Sequence, residues 1–134
     1  MQFIEWKESM SVGVKAFDEE HRQLIEQINK LNQSLSVGAG ARTMHIILDS
    51  LVSYTAIHFA HEEEYMRLYD YPSYEEHRRE HEELKAQVAD YSERLSSGKS
   101  SFSLELLTFL RDWLTNHIMK TDRQYREFFA GKGV

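Results

Sequence analysis

The stretch HFAHEEEYMRLYDYPSYEEHRREH, from His58 to His81, limits this chain more than any other. It carries His58-x-x-x-Glu62, a break at Tyr71-Pro72, and then His77-x-x-x-His81. Residues four apart on a helix project from the same face, one turn above the other. Each pair also falls in phase with the apolar positions of its own segment. The proline forbids simple helical continuation and pushes Tyr71 away from helical dihedrals. Two helices folded back at that break bring three imidazoles and a carboxylate to one level, where a bundle is normally filled with Leu and Ile. Any fold for this chain must accommodate that.

The same three-four spacing recurs elsewhere. A first helix is expected from near Asp18, as N-cap, to the glycines around Gly38 and Gly40, with Phe17, Leu24, Ile25, Ile28, Leu31 and Leu35 inward and His21 on that stripe. A second is expected over 41–65, with Met66 to Pro72 as the turn. A third opens at Ser73-x-x-Glu76, a capping-box pattern, and runs to about Ser96. The loop Ser96 to Ser100 then leads to a fourth helix from about Phe102 to Phe129, with Leu106, Leu107, Leu110, Trp113, Leu114, His117, Ile118 and Tyr125 on its buried side. The expected fold class is all-α: an up-down-up-down four-helix bundle over 17–129 preceded by an arm, 1–16, packed through Phe3, Ile4 and Trp6. One domain spans 1–134, and its last residues from Ala130 fray.

Composition narrows the chemistry. The chain has 134 residues, seven histidines and no cysteine, which excludes disulfides, thiolate metal sites and cysteine nucleophiles. Its net charge of -6 argues against a nucleic-acid partner. No apolar run is long enough for a membrane span, and the N-terminus lacks a signal-peptide pattern. A cytoplasmic monomer is expected.

Each helix places ionisable residues on its apolar stripe: His21; His58 and Glu62; His77 and His81; His117 and Asp122. Buried ionisable groups without partners cost several kcal/mol each. Metal coordination offsets that cost. Imidazole and carboxylate without thiolate favour a metal such as iron. Five imidazoles and two carboxylates exceed the four ligands of a zinc ion. Two octahedral ions offer about twelve positions. Five histidines, two bridging carboxylates and one bridging oxygen atom fill all but one. His117 and Asp122 are five apart, a rotation of about 140° on a regular helix. Either a π-bulge brings them to one face, or they approach the metals from different sides. His45 is expected to face solvent. His61 and the Glu63-Glu64 pair are expected at the rim or as outer partners.

These residues resemble those of the hemerythrin family, and of single-domain bacteriohemerythrins in particular. The resemblance rests on Trp6, Ser11-Val12-Gly13-Val14, Asp18-Glu19-Glu20-His21, His58-Phe59-Ala60-His61-Glu62-Glu63, the Met66 to Pro72 turn, His77-x-x-x-His81, and Trp113-Leu114-x-x-His117-Ile118-x-x-x-Asp122. It covers nearly the whole chain. It implies two non-heme iron ions with an oxo or hydroxo bridge. His77, His81 and His117 would hold one iron, His21 and His58 the other, and Glu62 and Asp122 would bridge. Leu24, Phe59, Trp113, Leu114 and Ile118 would wall a dioxygen pocket on the iron of His21 and His58. The implied role is reversible dioxygen carriage, storage or delivery, with no catalytic residue and with an oxygen-consuming protein as recipient. The alternatives are a diiron oxidase, peroxidase or nitric-oxide-handling enzyme, or an oxygen or redox sensor module.

Overall fold

The computed structural model describes residues 3–38, 40–97, 104–130 and Lys132. Four long helical segments form a bundle: α1 (Lys15–Ser36), α2 (Ala41–Leu68), α3 (Tyr74–Ser96) and a fourth that begins as α4 (Leu104–Asn116). No strand occurs among the described residues. The fourth segment continues through a π-helical turn, His117–Thr121, and a 3-10 turn, Asp122–Tyr125, to the short α5 (Arg126–Phe129). Helix α1 lies beside α2 and α4, and α2 lies beside α3. The expected loop across 98–100 and the expected helix start at Phe102 lie outside the described residues.

The apolar stripes read from the sequence form the core. Phe17, Leu24, Ile25, Ile28 and Leu31 of α1 are buried, with His21 among them. Met44, Leu48, Leu51 and Phe59 of α2, Leu84 and Val88 of α3, and Leu106, Leu107, Leu110 and Leu114 of α4 face them. The core changes character along the bundle. At one end it is aliphatic. At the other, the Phe17 ring lies 5.8 Å from Tyr125 and 6.4 Å from Phe129, and the rings of Tyr71 and Phe128 are 5.0 Å apart. The ionisable residues occupy the level between these two packings.

Several expected boundaries move. Helix α1 starts at Lys15, with Val14 as N-cap, so Asp18 lies inside the first turn. Its carboxylate instead holds the arm: it accepts from the Ser11 hydroxyl at 2.6 Å and from Val12 N–H at 2.9 Å. Ser73 is the N-cap of α3 but makes no side-chain capping bond. Helix α2 runs on through Met66, fully buried, to Leu68. The turn is therefore short, and Asp70 supplies its left-handed residue at φ 56°, a conformation Asp tolerates better than most. Gly38, at φ 72°, ends α1 as anticipated.

The arm is ordered across α1. Ile4 is buried, and its N–H and carbonyl both bond the Asn29 amide at 2.8 Å. Arg22 covers the Trp6 ring and Arg111 covers Phe3. Gly13 turns the arm into α1 at φ 78°, and a Cβ there would come within 3.1 Å of Arg126 Cγ. Gly13→Ala therefore combines backbone strain with a close contact. It is expected to destabilise the protein by about 1–3 kcal/mol, read as a lower thermal midpoint with an unchanged helical circular-dichroism spectrum.

Candidate metal centre

Helix geometry delivers seven polar side chains to one buried level. His21, His58, Glu62, His77, His81, His117 and Asp122 are each at most 3% exposed. His58 and Glu62 are one turn apart on α2, and His77 and His81 are one turn apart on α3. The π turn solves the spacing of His117 and Asp122. The Asp122 N–H reaches back to the His117 carbonyl, a five-residue step, and this added residue brings both side chains to the same interior. Their atoms approach to 2.9 Å, from His117 Nε2 to Asp122 Oδ1.

The two carboxylates divide their oxygens. Glu62 Oε2 lies 3.6 Å from His21 Nε2 and 3.5 Å from His58 Nε2, whereas Oε1 lies 3.3 Å from His81 Nε2 and 3.8 Å from His77 Nε2. Asp122 Oδ2 lies 3.0 Å from His21 Nε2, whereas Oδ1 lies 2.9 Å from His77 Nε2. The donor atoms thus form two groups: Glu62, His77, His81, His117 and Asp122, and His21, His58, Glu62 and Asp122. Within each group they lie within 4.8 Å of one another.

Close as they are, these atoms are not hydrogen-bonded to one another in the main. His21 Nε2, His58 Nε2, Glu62 Oε1, His77 Nε2 and both Asp122 oxygens are buried without a hydrogen-bond partner. Native structures rarely leave so many buried polar atoms unpaired in one place without an ion or water. His81 and His117 also present Nε2 to each other at 3.1 Å. Their outer Nδ1 atoms donate to Glu63 at 2.8 Å and Glu80 at 3.3 Å. A neutral ring that donates through Nδ1 has only a lone pair at Nε2. Facing lone pairs need a cation between or beside them, either a metal ion or a proton on one ring. The arrangement fits a metal centre.

The outer partners were only partly visible in the sequence. Glu63, expected at the rim or as an outer partner, accepts from His81. Glu20 accepts from His58 Nδ1 at 2.5 Å and from the part-exposed His61 Nδ1 at 2.7 Å. Burial opposes ionisation of Glu20, but its bonds to His58 and His61 prevail and lower its pKa. Glu80 accepts from the Thr121 hydroxyl at 3.0 Å on each oxygen, and its bond to His117 lowers its pKa. Tyr125, fully buried, donates its hydroxyl to Glu62 Oε2, while burial and the Glu62 charge push its own pKa well up. Sequence reading placed Glu20 at a helix start and Tyr125 in a stripe, and gave Glu80 no role. The usable signals were their positions: Glu20 directly before His21, Glu80 directly before His81, Tyr125 three after Asp122. His45 is part-buried on α2, not open to solvent as expected, and lies outside the cluster.

Beside the centre lies an apolar cavity of about 120 Å³, lined by residues that include Leu24, Phe59, Trp113 and Leu114. Ile118, expected with them, is fully buried but is not part of that lining. Phe59 stacks on the His81 ring at 3.7 Å and Trp113 on the His117 ring at 4.5 Å. No described helix is long and apolar enough to cross a membrane.

The fold and the site define a four-helix bundle built around a buried histidine–carboxylate cluster suited to hold metal. Residues 12–128 match the Hemerythrin HHE cation binding domain. A bacteriohemerythrin of Stenotrophomonas maltophilia is 36% identical over 127 residues, covering 95% of this chain and 82% of the relative. One of Methylococcus capsulatus is 32% identical, covering 81% of this chain and 82% of its own length. A wild-type hemerythrin crystal structure superposes with a TM-score of 0.89 at 28% identity, covering 93% of this chain and 96% of that one. A mutant hemerythrin structure reaches 0.91 at 28% identity, covering 95% and 97%. The chain belongs to the hemerythrin family.

The electrostatics fix how the metal-free protein responds to pH. Burial alone would lower the imidazole pKa values, but Asp122 and Glu62 outweigh it. They raise His21 to about 9 and His77 to about 10, and Asp122, with Glu80 and Glu62 adding, raises His117 to about 9. Burial opposes ionisation of both carboxylates, yet the imidazoles hold Glu62 and Asp122 well below the usual range. A raised histidine pKa stabilises the fold fully below the ordinary value of about 6.5 and loses that contribution as pH rises through 9 to 10. The depressed carboxylates stabilise above their ordinary range of about 4 and lose their contribution as pH falls toward the depressed values. The metal-free protein is therefore expected to be most stable between about pH 5 and 6.5, and urea unfolding midpoints should fall on both sides of that window.

Proposed function

We propose that the chain binds dioxygen reversibly at a diiron centre and acts as a carrier or store, not as an enzyme. The observation that carries the diiron reading is the division of Glu62 and Asp122, each with one oxygen toward each imidazole group. His77, His81 and His117 would hold one iron, His21 and His58 the other, and the two carboxylates would bridge. Six-coordinate geometry leaves a definite remainder. Three imidazoles, two carboxylates and a bridging oxo or hydroxo group would complete the first ion. Two imidazoles, two carboxylates and the same bridge would leave the second one position short.

Reduced iron supplies the electrons that dioxygen needs in order to bind. The chain's own residues decide what surrounds that event. Leu24, Phe59, Trp113 and Leu114 border the cavity and keep water out. Three lining residues carry polar side-chain groups, Thr55, Lys85 and Trp113, and the Trp113 indole N–H is a hydrogen-bond donor that does not titrate. The Thr55 hydroxyl donates to the Leu51 carbonyl at 2.7 Å, and the Lys85 ammonium pairs with Glu82 at 2.9 Å. General acid–base catalysis needs a group within hydrogen-bond reach of the reacting atom. The cavity offers no free one, which supports a role that returns its ligand unchanged over an oxidase or peroxidase. An oxygen-consuming protein would be the recipient, and a cytoplasmic monomer would suit the role.

Two measurements test this. The iron-loaded protein, reduced anaerobically, should develop a visible charge-transfer band on dioxygen addition and lose it when dioxygen is purged, over repeated cycles. Prompt irreversible oxidation with release of hydrogen peroxide would overturn the carrier reading. Chelation of the iron should lower the thermal midpoint, because a metal that binds only the folded state adds about 4 kcal/mol at a thousandfold excess over its dissociation constant. An unchanged midpoint would contradict a buried seven-ligand centre.

A further inference from the structure

The two halves of the metal centre are prepared to different degrees, and the difference lies on the outer edges of the imidazoles. In one half, His81 donates to Glu63, and His117 donates to Glu80, which the Thr121 hydroxyl also bonds through both oxygens. Aromatic faces hold the same rings: His81 lies on Phe59 with an interplanar angle of 2°, and His117 on Trp113 with one of 14°. His77 packs near-parallel to the Tyr125 ring at 5.7 Å. The His81 and His117 rings are thus held from outside before any ion arrives.

The other half is looser. His21 Nδ1 is buried and has no hydrogen-bond partner, so no outer carboxylate orients the ring from behind; its neighbours are the His58 ring, edge-on at 4.6 Å, and Asp122 Oδ2, 3.0 Å from Nε2. His58 does have a carboxylate, Glu20 at 2.5 Å, which also accepts from His61, so this half differs from the other at His21 and not at His58. Outer partners of ligand histidines set their orientation and basicity, and loss of one typically weakens metal binding about 10- to 100-fold.

Charge makes the two binding events unequal, whichever position fills first. Glu62 and Asp122 are the only carboxylates in either donor group, and both groups use both of them. The first divalent cation therefore meets the full charge of two carboxylates. The second meets carboxylates already neutralised, with a like charge nearby.

We propose that the two metal positions fill in a fixed order: the His77–His81–His117 position first, then the His21–His58 position, at least about tenfold more weakly. This rests on the two-metal reading above. Glu63 and Glu80 act as positioning residues for the first ion, and His21 is the ligand that makes the second ion the labile one. The chain consequently passes through a form with one ion, and that ion is the one without an open position.

The test is an anaerobic titration of the metal-free full-length protein with Co2+, followed by ligand-field absorption and by calorimetry. Two equivalents should bind in two resolved steps. His21→Ala should abolish the second step and leave the first. Glu63→Gln, which keeps the size of the side chain, should weaken the first step about 10- to 100-fold and bring the two steps together. Two equivalents taken up in a single step of equal affinity would overturn the order while leaving the two-metal reading intact, and the wild-type isotherm decides this without any variant. Loss of the first step in a folded His21→Ala protein would overturn it as well. Saturation at fewer than two equivalents would instead overturn the two-metal reading, and the order with it.

Discussion

Glu62 and Asp122 are ionised side chains in a fully buried place, and the rest of the structure follows from that constraint. Two carboxylates so close repel each other and lose their hydration. Only cations or donors can hold them there. Five imidazoles surround them, and without metal the two carboxylates favour the protonated form of three, His21, His77 and His117. The proton-loaded and metal-loaded forms are two answers to one electrostatic problem. Metal binding must therefore displace protons.

The surrounding packing is arranged for this demand. Three imidazoles rest against Phe59, Trp113 and Tyr125 and need few other contacts to stay oriented. The aromatic end closes one side of the centre. The aliphatic end leaves a cavity on the other side, with Thr55 and Lys85 already engaged. A charged centre is thus set against a largely apolar space whose one ammonium is paired with a carboxylate, a combination suited to holding a small neutral ligand. The arm contributes by locking the start of α1 through Asp18, three residues before His21.

The irregular turn in the fourth segment is where local and global preferences conflict. A regular helix places His117 and Asp122 about 140° apart. The π turn removes the conflict by breaking the ladder within the two residues that need to meet, and a 3-10 turn follows before α5 resumes. The same irregularity brings Thr121 to Glu80 and Tyr125 to Glu62. One extra residue in the ladder thus accompanies two outer contacts besides the pair itself.

The seven inward residues were legible in the sequence because helical periodicity ties each to an apolar stripe. His21 lies among Phe17, Leu24 and Ile28, and His81 lies one turn before Leu84. Periodicity also determined the number of helices and the end of α1 at Gly38. It did not determine where α1 begins, because Asp18 suits an N-cap and an arm anchor equally well, and only the arm's position decides between them. It left the π turn as one of two possibilities, since both keep the same residues in the same order. The roles of Glu20 and Glu80 depended wholly on tertiary structure. Each is an exposed-looking acid on its own helix, and each matters because an imidazole from a different helix, His58 or His117, comes to lie against it. Periodicity reports which face of a helix is buried. Which side chains meet across helices depends on rotation and rise between them, and those are set only when the bundle packs.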